Sequence, residues 1–248
     1  MPSTFSVIFE EFEQELHAIR GLVSASNNRQ SASPKQRVAG ANAAVLLLAA
    51  TFEEYIREMA RAFARSVVES TVSYDKLPSR LATVAWRRTM ENLARVQLNS
   101  KTEIFSRESV FNDAQTKFAT IYAFCRGNLS QDIYDDLIHN ENNMRPEQLN
   151  SLFKVSGLRN VCLLVAQRGG IKEYFGEDEH SAPHAKLLDA LEDFFERRNM
   201  IAHSIRMMQS EGPDAIANDI DLLSVFGGCL ALVLEGEAPL PVPRGNSK

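Results

Sequence analysis

Apolar positions recur along this chain at steps of three and four, so the predicted elements are helices. Phe5, Phe9, Phe12, Leu16, Ile19 and Val23 form one stripe and predict a first helix over about 5–23. A polar stretch, Ser24 to Ser33, closes at Pro34. A second, long helix is predicted from about Lys35 to Ser70. Its first half, Ala43 to Ala50, is apolar all round and is expected to be enclosed by neighbours on several sides. Its second half is amphipathic, with Phe52, Ile56, Met59 and Phe63 on one stripe and Arg57, Arg61 and Arg65 opposite. Those arginines alternate with Glu53, Glu54 and Glu58, which suits a solvated helix face better than a track for phosphates.

The middle third, about 74–170, is less regular. Helices are predicted around 82–96 and 112–125, and another opens at Pro146 and closes at Gly157. Trp86-Arg87-Arg88 sets an aromatic beside two cations, a pairing that can stack a base. A packed indole with solvated arginines is the simpler reading. A principal helix follows from Pro183 to about Met208, and after Gly212-Pro213 a last apolar helix covers about Asp214 to Leu234. Residues 239–248 read as an extended, flexible tail. Strand signals are nearly absent, and there is no internal repeat or Gly-rich phosphate loop. The fold class is all-α.

Composition narrows the function. With 44% apolar and 24% charged residues the chain can bury a sizeable core. Its first residues are acidic and lack the basic start and apolar run of a secretory signal. Ala43–Phe52 and Leu222–Leu234 are shorter than the roughly 20 residues a bilayer needs, so buried helices and no membrane are expected. Cys125, Cys162 and Cys229 are scattered, as reduced thiols of a cytoplasmic protein are, and suggest neither disulfide nor zinc. The net charge of −5 opposes indiscriminate nucleic-acid binding, though it leaves room for a local basic cleft.

Candidate chemistry sits in the principal late helix. Leu187, Leu191, Phe194, Ile201, Ile205 and Met208 follow alternating four- and three-residue steps, and the seam position at 198 is an arginine. A guanidinium in a seam is costly unless paired, and it cannot lose its proton. Arg198 is therefore expected to meet an acidic partner, with Glu53 the first candidate, or to face an interface or anion site. His203 lies five residues on, about 140° around the helix and roughly 7.5 Å along it. Asn199, four residues before His203, shares its face. Arg, His and Asn together can hold a phosphate, move protons near neutral pH and orient an imidazole.

Glu196-Arg197-Arg198-Asn199-Met200-Ile201-Ala202-His203-Ser204 resembles the signature of HEPN ribonucleases, an Arg followed by four to six residues and a His, often with Asn after the Arg. Arg198 gives a four-residue gap with Asn in place, whereas Arg197 gives five without it. The buried helix leading into Phe52-Glu53-Glu54-Tyr55 is similar to the family's, as is Asn142-Asn143 followed by Leu149–Gly157. The likeness is poor from about Leu77 to Phe111. The resemblance implies a HEPN-like helical bundle, one domain over 1–238 with a helical insertion at about 74–170, that forms a homodimer with facing Arg–His motifs. It implies a metal-independent endoribonuclease without a cofactor, in which the RNA 2′-hydroxyl attacks the adjacent phosphate. Arg198, Asn199 and His203 would form the catalytic set, supported by Glu53, Arg197 and Ser204. Many relatives are toxins or anti-phage defence effectors, so an antitoxin or defence-system partner is a further expectation. Some are silenced by nucleotidylation of a Tyr two residues after the His; Ile205 stands there in this chain.

Two other readings stand beside it. A catalytically silent HEPN-like module would bind a partner or nucleotide, and the negative net charge suits it. A metal hydrolase could use Glu177, Asp178, Glu179, His180 and His184, although Pro183 places the two histidines at a helix start, where acidic residues are expected anyway.

Overall fold

The computed structural model describes residues 2–27, 32–96, 104–138, 143–178, 183–203 and 212–240. Every regular element among them is helical, as the period of the apolar pattern requires. The order is α1 (Thr4–Ser26), α2 (Pro34–Glu69), a 3₁₀ turn (Tyr74–Lys76), α3 (Leu81–Ala94), α4 (Ile104–Cys125), α5 (Tyr134–Leu137) and α6 (Pro146–Val155). After these come α7 (Val161–Ala166), α8 (Gly169–Tyr174), α9 (His184–His203) and α10 (Pro213–Glu237). The chain divides into two compact units: residues 1–59, 141–151 and 159–237, and residues 60–140, 152–158 and 238–248.

In the first unit, α1 is capped by Ser3, whose Oγ accepts the Ser6 N–H at 3.0 Å. Its stripe of Phe5, Phe12, Leu16, Ile19 and Val23 is buried, and the helix packs along α10. Contact is close because Gly227 of α10 leaves room for Phe12: a Cβ there would lie 3.0 Å from the Phe12 ring. The Tyr55 hydroxyl of α2 donates to the Gly227 carbonyl at 2.8 Å, and burial raises its pKa. Phe52, Phe195 and Phe226 pack ring against ring at the centre. Helix α10 is the one helix among the described residues long and apolar enough to cross a membrane, but 61% of its most apolar window is buried within the protein. It also packs on α7 and α8, as a core helix does.

The expected enclosure of Ala43–Ala50 is only partial. Ala44, Val45, Leu48 and Ala49 are buried, whereas Ala43, Leu47 and Ala50 form an exposed stripe along α2. An all-apolar sequence states what could be covered, not what is.

In the second unit, α3 packs on α4 and α5 around Leu81, Ile121, Phe124 and Leu137. Arg88 Nη1 donates to the Leu137 carbonyl at 2.5 Å and Asn92 Nδ2 to Asp136 Oδ1 at 3.0 Å, which ties α3 to α5. Helix α6 opens at Pro146, and Gly157 beyond its end adopts φ +99°, a left-handed conformation glycine takes without a Cβ penalty. Trp86 is 38% exposed, so the packed indole expected from the sequence is only half packed.

The arginine row of α2 also departs from its solvated reading. In the first unit Arg57 is buried against Glu54, with Nε 2.8 Å from Oε2. In the second, Arg61 pairs with Asp135 at 3.2 Å, and Arg65 lies 3.9 Å from Asp132 and over the Tyr134 ring. The acidic partners of Arg61 and Arg65 stand about seventy residues further along, where helix periodicity could not point to them.

Candidate active site

The candidate residues gather in the first unit, where α9 carries Phe194 and Phe195 into the core and Arg198 one turn later. Buried aromatic neighbours hold this stretch of helix firmly, so the Arg198 side chain leaves the core from a fixed root. It is 23% exposed. Its Nη1 donates to Asn199 Oδ1 at 3.0 Å and to Asn143 Oδ1 at 3.1 Å. Its Nη2 lies 3.9 Å from Oε1 of the buried Glu53: the charges face each other, but the separation is too long for a hydrogen bond. Arg198 Nε is buried without a hydrogen-bond partner among the described residues.

Asn143 completes the arrangement. It stands just before α6 at φ +64°, a left-handed conformation that Asn tolerates better than most residues. Its backbone N–H donates to Glu53 Oε1 at 2.9 Å while its side chain receives Arg198. Two residues on, Arg145 Nη1 pairs with Glu192 of α9 at 2.6 Å. The turn is thereby fastened to α2 through Glu53 and to α9 through both arginines. The guanidinium is thus held along one edge by two amide oxygens with a carboxylate nearby, and among the described residues Nη2 makes no hydrogen bond. Nη2 thus keeps donor capacity for a single-point anion contact, beside the Glu53 carboxylate.

The other predicted residues have different surroundings. Asn199 turns its amide oxygen to Arg198, and no hydrogen bond joins it to His203. His203 ends α9 and is exposed. Arg197 points elsewhere, into an ion pair with the buried Asp219 of α10. Ser204 and Ile205 lie outside the described residues, as do Asn142, Glu179 and His180. Among the described residues no group of three His, Cys, Asp or Glu side chains is placed to hold a metal ion. Sequence reasoning singled out Arg198 and Glu53 but missed the part played by Asn143. Its signals were the family-like Asn142-Asn143 segment and its place shortly before a proline-initiated helix, the composition of a turn.

The cysteines are packing residues. Cys162 is buried on α7, its N–H donating to Asn150 Oδ1 at 3.2 Å, and burial pushes its thiol up to about 12. Cys229 is buried on α10, and burial raises its thiol too.

No curated protein and no solved structure matches the chain. A family model described as RiboL-PSP-HEPN matches residues 10–235, a span that takes in Glu53, Asn143, Arg198 and His203 together. The chain belongs to the RiboL-PSP-HEPN family.

Proposed function

We propose that this protein is a metal-independent endoribonuclease whose active site is completed when two copies bring their Arg198–His203 motifs face to face. HEPN proteins include ribonucleases, which supports a nuclease or RNA-directed role at the coarse level. The observation that carries the finer reading is the Arg198 guanidinium, rooted in the core and held by Asn143 and Asn199, with an Nη2 that faces Glu53 at 3.9 Å and makes no hydrogen bond among the described residues.

In the proposed reaction one His203 takes the proton from the RNA 2′-hydroxyl, and the 2′-oxygen attacks the adjacent phosphorus. The bond to the 5′-oxygen breaks, and the second His203 returns a proton to that leaving oxygen. Arg198 offsets the charge that builds on the phosphorane oxygens. The products are a 2′,3′-cyclic phosphate and a 5′-hydroxyl. Asn199, Glu53 and Arg197 position rather than react: Asn199 and Glu53 orient the guanidinium, and Arg197 ties α9 to α10. Ser204 stands next to the histidine as a further supporting group. In this reading the protein acts as a toxin or anti-phage effector in the cytoplasm, restrained by an antitoxin or a defence-system partner.

The test is cleavage of mixed cellular RNA in EDTA by the wild-type protein and by His203→Ala, with end-group analysis. Loss of cleavage in the variant, with cyclic phosphate ends from the wild type, is the expected result. Equal cleavage by both proteins would leave the silent interaction module, which the net charge of −5 favours, as the better reading.

A further inference from the structure

Among the described residues, a cluster of exposed aromatic side chains lies in the second unit. Phe111, Phe118 and Tyr122 stand seven and four residues apart on one face of α4 and are 54%, 45% and 50% exposed. The opposite side of the helix buries Ile121 and Phe124. The Phe118 and Tyr122 rings lie nearly parallel, 6.0 Å apart and inclined by 23°, and Trp86 of α3 meets Phe118 edge-on at 6.2 Å. A contiguous aromatic face left in water is unfavourable unless something covers it, and such faces mark binding surfaces.

Charge indicates what covers it. The second unit carries fourteen Lys and Arg against nine Asp and Glu, whereas the first carries thirteen against twenty-three. The chain's net −5 therefore conceals a unit of net +5. Of its acidic residues near α4, Asp135 pairs with Arg61 and Asp136 with Asn92, Asp132 lies 3.9 Å from Arg65, and Glu108 and Asp113 on α4 itself are exposed. Arg87 and Lys117, next in the chain to Trp86 and Phe118, are 63% and 53% exposed and only loosely paired, at 3.8 Å to Glu91 and 3.9 Å to Asp136. Such pairs are worth little in water and exchange readily for a phosphate. A second copy docking here across a two-fold axis would set the same basic face against itself. A polyanion with flat apolar faces has no such conflict.

We propose that Trp86, Phe118 and Tyr122 form a platform that stacks the unpaired bases of single-stranded RNA, with Arg87 and Lys117 meeting its phosphates. The choice of RNA over DNA rests on the ribonuclease reading above; the stacking itself does not. The platform gives a protein of negative net charge a place to hold its substrate, and it favours loops and single strands over duplex, whose bases are already stacked.

Trp86 is the chain's one tryptophan, so its fluorescence reports the platform directly. The experiment titrates the full chain, carrying His203→Ala to prevent cleavage, with a short oligouridylate and with a blunt duplex of equal length. Saturable quenching of Trp86 by the single strand is expected, with the duplex binding far more weakly. Phe118→Ala with Tyr122→Ala should weaken the single-strand affinity roughly tenfold or more, whereas Phe118→Tyr with Tyr122→Phe should retain it. Both side chains are half exposed, and circular dichroism verifies that the variants fold. Undiminished binding by the double alanine variant, equal binding of duplex, or conversion of a dimer to monomer by that variant would overturn the platform, the last by identifying a second copy as its cover. The two readings fail separately: binding to an intact platform by a His203 protein that cleaves nothing sinks only the ribonuclease.

Discussion

At Arg198 the cost of a partly buried cation is met by a carboxylate and two amide oxygens, and the two candidate site residues on α9 answer to mutation differently because of it. His203 is exposed at the helix end, so His203→Ala should change stability by well under about 1 kcal/mol, while loss of acid–base catalysis should lower the cleavage rate by roughly 10²–10⁴-fold. Arg198→Ala should lower both, because Glu53 stays buried facing no cation; the expected loss is about 1–3 kcal/mol, less than for a fully buried pair since Arg198 is partly solvated. Melting curves and cleavage rates measured on the same preparations check both, and an Arg198→Ala protein as stable as wild type would show that Glu53 does not depend on the pair. Cys162 gives a residue-scale prediction independent of RNA. Its folded-state thiol titrates at about 12, above the ordinary value of 9.0, so the unfolded chain releases this proton first. The stability it contributes is complete below pH 9 and is lost as pH rises toward 12, at up to about 1.4 kcal/mol per pH unit. Urea unfolding between pH 8 and pH 11 should show that decline, and Cys162→Ala should make it shallower, the remainder coming from other buried groups such as Tyr55 and Cys229.

Among the elements, the α1–α10 pair decides how much a single methyl matters. Ala is a better helix former than Gly by about 1 kcal/mol, so at Gly21 of α1, where a Cβ would meet nothing within 4 Å, Gly21→Ala should raise the melting temperature. Gly227→Ala should lower it despite the same propensity gain, because its Cβ would press on Phe12 at 3.0 Å and shift the carbonyl that Tyr55 uses. Thermal melts of the two variants should move in opposite directions. The helices themselves were legible from periodicity, and Arg198 was legible because a charge on an apolar stripe is an anomaly that demands a partner. Glu53 could be named because it lies at the edge of another predicted stripe. Asn143 was named only within a family-like segment and not for its contacts, since these depend on a left-handed turn, and nothing in an apolar pattern encodes the sign of φ. Leu47 and Trp86 went astray for a related reason: hydrophobicity is written in the sequence, but the neighbour that covers it belongs to the tertiary structure.

For the whole molecule, the proposed mechanism needs two histidines where one chain supplies a single Arg–His motif. A homodimer is therefore expected at micromolar concentration, and sedimentation should find it in wild type and His203→Ala alike; monomer with full ribonuclease activity would sink the composite site. The exposed stripe of Ala43, Leu47 and Ala50, together with Met200 at 61% exposure one turn before the end of α9, gives the first unit apolar surface that a partner could cover. The uneven charge predicts how salt acts. Binding of single strands should weaken steeply with ionic strength although the protein as a whole is acidic, because the counterions released are those near the basic unit. A net charge read from the sequence averages over both units, which is why it counted against RNA when the chain was taken as a whole.

The Asn143 turn has a consequence for observing the site without substrate. Its amide proton is committed to a buried carboxylate, so exchange with deuterated solvent at this one position requires the Glu53 contact to open. Slow exchange at Asn143 in the resting protein, accelerated by Arg198→Ala and unchanged by His203→Ala, would report the integrity of the cation's cradle amide by amide. A ligand that engages Nη2 of the guanidinium should slow that exchange further, which would make a single backbone proton a reporter of occupancy.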